Sequence, residues 1–391
     1  MNKLFTMNDK FLTICFLIMA SCSALAQTIT TPKPPTIAAD SYLLMDYNSE
    51  TLLAQFDINK KVEPASITKM MTAYVVFAEL KSANLKKSDL VTVSEKAWRT
   101  GGSKMFIEVN KKVSVEDLIK GMIIQSGNDA CVALAEHIAG SEEIFADLMN
   151  QYAKKIGMQN SNFMNATGLP AADHYITAID AAKLAKAIIV NFPEDFEIFS
   201  EKEFTFNEIT QHNRNTLLWR DPSVDGFKTG HTEAAGYCLV STAKRNGMRL
   251  ITVVMGTESQ KSRADESQKL FNYGYRFFET NLLYKANEKR VNIEVWKGQD
   301  ENVDLGLAED LYITIPRGQY KNLQAKVDIP NHITAPIASR QIIGKLNIHL
   351  NEQLIAAKDL IALKALESGG WWTRTTDSMG LWFKSFGDDD E

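Results

Sequence analysis

The alternation of apolar and polar positions divides this chain into stretches of distinct texture. "SYLLMDYNSETLLAQF" (41–56) alternates on either side of Asn48-Ser49, the pattern of two strands joined by a turn. "PASITKMMTAYVVF" (64–77) is apolar almost from its first turn and predicts a helix opening near Ser66. A second helix is expected from Ser114, with Asp117 three residues on, through "VEDLIKGMIIQ". "SGN" interrupts the spacing, and "DACVALAEHIAG" resumes it until Gly140. Past a polar, loop-rich middle, "VDGFKTGHT" predicts a strand and "GYCLVSTAKRNGMRLITVVMG" a hairpin about Asn246-Gly247. "RADESQKLFNYGYRFFETN" (263–281) predicts a long helix. The first and last parts of this region therefore supply an antiparallel sheet, and the part between them a helical block. That is an α+β fold.

After about residue 283 the texture changes. "VNIEVWKG", "VDLGLAEDLYITIP", "LQAKVDIP" and "GKLNIHL" are short alternating runs broken by Pro, Gly and Asn, which predict a small all-β domain. The final segment, "GGWWTRTTDSMGLWFKSFGDDDE", differs again. On a helical wheel Trp371, Trp372, Met379, Trp382, Phe383 and Phe386 fall within an arc of about 120°. Arg374, Asp377, Ser378, Lys384 and Ser385 lie opposite, and Leu381 alone breaks the pattern. Such a helix suits an interfacial membrane anchor; a helix packed on its own domain, or a dimer contact, is the alternative. The acidic "DDDE" end opposes attraction to anionic lipid, so attachment would rest on aromatic burial.

At the other end, Lys3 and Lys10 precede "FLTICFLIMASCSALA", which is shorter than the ~20 apolar residues a span needs. With Ala24-Leu25-Ala26 as its small-x-small site, it predicts a secretory signal cut before Gln27. The expected organisation is a signal peptide over 1–26, a catalytic domain over 27–283, a β-rich domain over 284–366, and an anchor helix with an acidic tail over 367–391.

Length and charge add limits. A chain of 391 residues is too long for most single cores. A net charge of −5 gives no electrostatic footprint for nucleic acid. The six histidines are scattered, and neither a His-Glu-x-x-His nor a Cys-x-x-Cys run occurs, so no metal is expected. Signal cleavage would leave Cys131 and Cys238, which read as buried thiols within apolar segments, with one disulfide as the alternative.

Three short motifs carry candidate chemistry. Ser66 and Lys69, three apart on a helix, share a face. A serine hydroxyl needs a base, and a desolvated lysine amine can serve as one. Taken alone, the pair is as readily a helix start with a lysine reaching for solvent. Ser126-Gly127-Asn128 is a polar break between two apolar helices, either a site or a capped turn. Lys228-Thr229-Gly230, followed by His231, places a cation and a hydroxyl on a strand, either to hold a carboxylate or to protect an edge. All three in order form the trio typical of penicillin-binding proteins and class A β-lactamases, with Gly127 where the usual middle motif has Asp.

The chain resembles the low-molecular-mass penicillin-binding proteins that act as D-alanyl-D-alanine carboxypeptidases. The likeness is carried by "PASITKMMTAYV", "GGSKMF", "SGNDACVALAEHIAG", "NRNTLLW", "VDGFKTGHTEAAGYCLV" and "FNYGYRFFET", and later by "YITIPRG" and the aromatic terminal helix. It implies a serine β-lactamase/penicillin-binding-protein-like transpeptidase fold and removal of the last D-alanine from peptidoglycan pentapeptides, with β-lactams as covalent inhibitors. It implies Ser66 as nucleophile, Lys69 as its base and Ser126 as proton relay to the leaving D-alanine. Asn128 would bind the substrate amide, and Lys228 and Thr229 its carboxylate. Gly230 would let the substrate backbone lie close, and the N–H groups of Ser66 and His231 would form the oxyanion hole. No cofactor is implied, and the location would be the periplasmic face of the inner membrane. The alternatives are a β-lactamase, disfavoured by the lack of glutamate in "QNSNFMNATGLPAADHY", and a non-turnover β-lactam or peptidoglycan sensor. "TGGSKMF" resembles the family's active-site loop, and modification of Cys131 would block the nearby pocket.

Overall fold

The computed structural model describes residues 32–385, with backbone alone for 380–385. The expected signal peptide, Phe386 and the acidic tail lie outside the described residues. β1 (Ser41–Asp46) and β2 (Leu52–Phe56) form the expected hairpin. A 3-10 turn, Ala65–Ile67, carries Ser66 and leads into α1 (Thr68–Lys81). Every residue of α1 from Thr68 to Phe77 is buried, which is why the helix is apolar all round.

The helical block continues with α2 (Val115–Ile123), α3 (Asn128–Ala139), α4 (Glu142–Lys155) and α5 (Ala178–Asn191). Ser114 caps α2: its Oγ accepts the Asp117 N–H at 3.1 Å and donates to Asp117 Oδ2 at 2.7 Å. Gly140, at φ 80°, ends α3. The sheet is completed by β3 (Val224–Thr232), β4 (Gly236–Arg245) and β5 (Met248–Thr257), giving the antiparallel order β2-β1-β5-β4-β3. Asn246 (φ 49°) and Gly247 (φ 85°) make the turn between β4 and β5. The first and last parts of the region do meet: Leu43 of β1 pairs with Val253 of β5.

Strand side chains alternate between faces. Leu43 and Met45 join the core built on the helical block, whereas Leu44 joins a second core. That second core includes Leu270 and Phe271 of α6 (Gln260–Phe277), which packs on β5 and β4. With helices on both faces, the sheet carries runs of buried residues rather than a one-sided alternation.

The long helix stops earlier than expected. Residues 278–281 are not helical but open β6 (Phe278–Tyr284). Phe278, Thr280, Leu282 and Tyr284 fall on alternate positions, and this period of two prevails because β6 finds a partner 27–38 residues on, β9 (Leu311–Pro316). The β-rich region also holds β7 (Val291–Glu294), β8 (Asn302–Leu307), β10 (Leu323–Asp328), β11 (Ile342–Leu350) and β12 (Gln353–Ala362). They form a second antiparallel sheet in the order β7-β8-β12-β11-β10 over its own core.

The terminal helix α7 (Trp371–Ser385) leaves Trp371 69%, Trp372 73% and Met379 54% exposed. On its polar side the Asp377 carboxylate accepts the Lys297 N–H. No helix among the described residues is long and apolar enough to cross a membrane.

Candidate active site

The three motifs converge on one cleft of about 420 Å³, whose lining includes Ser66, Ser126, Thr229, Gly230 and His231. Lys69, fully buried at the floor, donates from Nζ to Asn128 Oδ1 at 2.7 Å and the Thr167 carbonyl at 2.6 Å, and its Nζ lies 3.0 Å from Ser66 Oγ. Across the cleft Lys228, 3% exposed, donates to Ser126 Oγ at 2.9 Å. Both amines have pKa values below the ordinary lysine range. Burial is the first cause for each, and for Lys228 the neighbouring basic groups Lys69, Arg214 and Arg263 add to it.

The backbone around these side chains is unusual. Ala65 (φ 46°), Ser126 (φ 65°) and Phe106 (φ 68°) occupy the left-handed region although none is glycine. Such strain persists where the surrounding structure overdetermines it, and functional sites are where it concentrates.

Two sequence expectations acquire a different geometry. The Asn128 amide serves the protein: Oδ1 takes Lys69, and Nδ2 donates to the Gly101 carbonyl at 2.7 Å. Gly230 is glycine because β3 lies against the turn carrying Ser66. A Cβ there would come 3.2 Å from Ala65 Cβ, Ile67 Cγ1 and the Pro64 carbonyl. The His231 ring is exposed and stacks on Tyr237 at 4.0 Å between centroids. In the described sheet β3 is an edge, so its unpaired backbone groups border the cleft.

The family model for D-alanyl-D-alanine carboxypeptidase matches residues 28–259, and that for the C-terminal domain of penicillin-binding protein 5 matches 278–368. The chain belongs to the D-alanyl-D-alanine carboxypeptidase family. D-alanyl-D-alanine carboxypeptidase DacC of Escherichia coli is 44% identical over 383 residues, 95% of each chain. DacA of the same organism is 42% identical over 360 residues, 90% of this chain and 89% of its own. The crystal structure of penicillin-binding protein 5 from Haemophilus influenzae superposes with a TM-score of 0.85 at 43% identity, covering 86% of this chain and all of that one.

Several residues that shape this carboxypeptidase-family cleft escape a reading by motif. Arg214 and Arg263 line it, and Arg263 also donates to the Gly230 carbonyl at 3.1 Å. Arg214 lies inside the family-like "NRNTLLW", which was the available signal. Asp129, next to Asn128, is buried and accepts the N–H groups of Met105, Phe106, Ile107 and Ala130 at 3.0–3.3 Å. With the Asn128 N–H, which donates to the Ser103 carbonyl at 2.7 Å, it pins the 100–107 loop over the site. The 159–175 segment holds no glutamate of its own, yet a carboxylate reaches it: Glu142 accepts the Ala166 N–H at 3.2 Å and pairs with Lys96 at 3.2 Å.

Cys131 and Cys238 are buried free thiols. Burial pushes Cys131 up to about 12, which leaves it inert as a thiolate and removes it as a ready target for modification.

Asp129→Ala leaves four backbone N–H groups without their acceptor. At ~1 kcal/mol each, partly recovered by water, the expected loss is about 2–4 kcal/mol in denaturant unfolding. Limited proteolysis should then cut within 100–107. Unchanged stability and protection would contradict the pinning role.

Proposed function

We propose that this chain is a serine D-Ala-D-Ala carboxypeptidase that trims peptidoglycan pentapeptides through an acyl-enzyme on Ser66. The observation that carries the reading is the set of acceptors around Lys69. Asn128 Oδ1 and the Thr167 carbonyl can only accept, and they use both N–H bonds of a neutral amine. The remaining lone pair then faces Ser66 Oγ, 3.0 Å away.

Ser66 Oγ attacks the carbonyl of the penultimate D-alanine as its proton passes to Lys69. The N–H groups of Ser66 and His231 stabilise the oxyanion; one such donor is typically worth ~3 kcal/mol. Collapse of the tetrahedral intermediate breaks the peptide bond, and Ser126 hands a proton to the departing amine. Lys228, Ser126's hydrogen-bond partner at 2.9 Å, replenishes that proton. The proton that Lys69 took from Ser66 makes good the one Lys228 gave, which leaves Lys69 neutral; water then attacks the ester, and Lys69 takes its proton and passes it to Ser66 Oγ as the acyl bond breaks. Penicillin acylates the same oxygen.

Thr229 and Lys228 receive the substrate's terminal carboxylate. A cleft lined by Arg214 and Arg263 beside Lys228 has the sign that attracts it. Asn128 uses its second N–H for the substrate amide. The catalytic domain spans 27–283 and the β-rich domain 284–366. Export by the 1–26 signal delivers the protein to the periplasmic face of the inner membrane, where the aromatic side of 367–391 holds it peripherally. The exposure of Trp371 and Trp372, with Asp377 turned to its own domain, supports that orientation.

D-alanine release from a peptide ending in D-Ala-D-Ala should occur with the mature protein and vanish in Ser66→Ala. Release unaffected by Ser66→Ala would sink the mechanism, and penicillin acylation without release would indicate a sensor. A protein truncated after Gly370 should move from the membrane pellet to the soluble fraction; continued pelleting would contradict the anchor.

A further inference from the structure

Behind Lys69 lies a closed ring of polar contacts that the reaction above does not use. Asn165 Oδ1 accepts the Thr167 N–H at 3.1 Å, the Thr167 hydroxyl at 3.0 Å and the Gly168 N–H at 2.7 Å. Two backbone N–H groups on one atom fix the orientation of the amide, since only the oxygen can accept them. Nδ2 therefore donates to the Leu169 carbonyl at 2.9 Å and to His174 Nδ1 at 3.2 Å. A ring nitrogen that meets an N–H must be unprotonated, so the His174 proton sits on Nε2 and is donated to Thr68 Oγ1 at 3.1 Å. His174 is 4% exposed, and burial lowers its pKa to about 4, which keeps the ring neutral.

The ring joins two segments whose separation matters. Thr68 immediately precedes Lys69 on α1. Residues 165–169 carry the Thr167 carbonyl that accepts from Lys69 at 2.6 Å. The loop lies directly on the turn carrying Ser66: a Cβ on Gly168 (φ +86°) would fall 1.7 Å from the Ala65 carbonyl oxygen. A buried histidine satisfied at both nitrogens is often no more than core. Here, however, Ala166 is separately tied through its N–H to Glu142 and through its carbonyl to the Thr72 hydroxyl, so the loop has anchors of its own. What Asn165 and His174 add is register between the Thr167 carbonyl and the start of α1.

We propose that Asn165 and His174 are positioning residues for Lys69, clamping the 165–169 loop to α1 and so fixing where the Thr167 carbonyl meets the amine. The proposal rests on the assignment of Lys69 as the base for Ser66. Without the clamp the carbonyl drifts, and the Lys69 lone pair is no longer held on Ser66 Oγ. The acylation step then slows, while carboxylate binding on the Lys228 side is untouched.

Stopped-flow acylation by a fluorescent penicillin separates the binding constant from the acylation rate, and thermal unfolding of each variant reports folding. His174→Leu and Asn165→Ala should acylate about a hundredfold more slowly at an unchanged binding constant, the cost of a ~1 Å misplacement. Thr68→Val, which removes one hydrogen-bond acceptor, should slow by about tenfold. His174→Gln, whose amide accepts at one end and donates at the other, should recover to within a few-fold of the natural protein. A folded His174→Leu with the natural acylation rate overturns the proposal, as does a His174→Gln no faster than His174→Leu. If His174→Leu does not fold, the shape-preserving Thr68→Val decides, and an unchanged rate overturns the proposal. Failure of the natural protein to acylate at all would instead bring down the assignment of Ser66 and Lys69, and this inference with it.

Discussion

Burial of one amine organises this molecule. Lys69 is wholly shielded from water, and an ammonium there would carry a desolvation cost that the nearby Asp129 carboxylate does not offset and the Arg214 cation adds to. The amine is therefore pushed toward its neutral form, and two oxygens that can only accept hold its N–H bonds. Helix α1 must be apolar on every side to enclose it. The chain must break at Ser126-Gly127-Asn128 to bring in one acceptor, and residues 165–169 must fold back onto the Ser66 turn to bring in the other.

The same logic extends across the cleft. Lys228 is buried beside Ser126, and Arg214 and Arg263 add positive charge without an acidic counterweight in the lining. An array of this kind is costly when empty and relieved by an anion, which suits a substrate ending in a carboxylate. The edge strand β3, brought close by Gly230, completes the wall with unpaired backbone groups.

What the sequence made legible follows from range. Ser66 with Lys69, Ser126 with Asn128, and Lys228 through His231 are local patterns, and each announces itself within a few residues. The hairpins, the Ser114 cap and the Gly140 stop are local as well. Asp129 gave no such signal, because three of the four N–H groups it holds lie 22–24 residues upstream. His174 bridges to Thr68 across 106 positions, and Asn165 reads simply as a loop asparagine. The strand over 278–284 was hidden for a related reason: its alternation overlaps the end of a helical stretch, and only pairing with β9 decides between the two periods. Local patterns thus name the proposed reacting groups, while the residues that hold them in place emerge only from tertiary contacts.

The most direct test of this account is the protonation state of Lys69 itself. In protein carrying nitrogen-15 lysine, with Lys69 assigned by comparison with Lys69→Met, a pH titration of the side-chain nitrogen resonances reads it without reference to turnover. Lys69 should take the neutral-amine shift at a pH where the exposed lysines are still ammonium, well below their usual value of about 10.4. A Lys69 that stays ammonium up to that range would contradict this account.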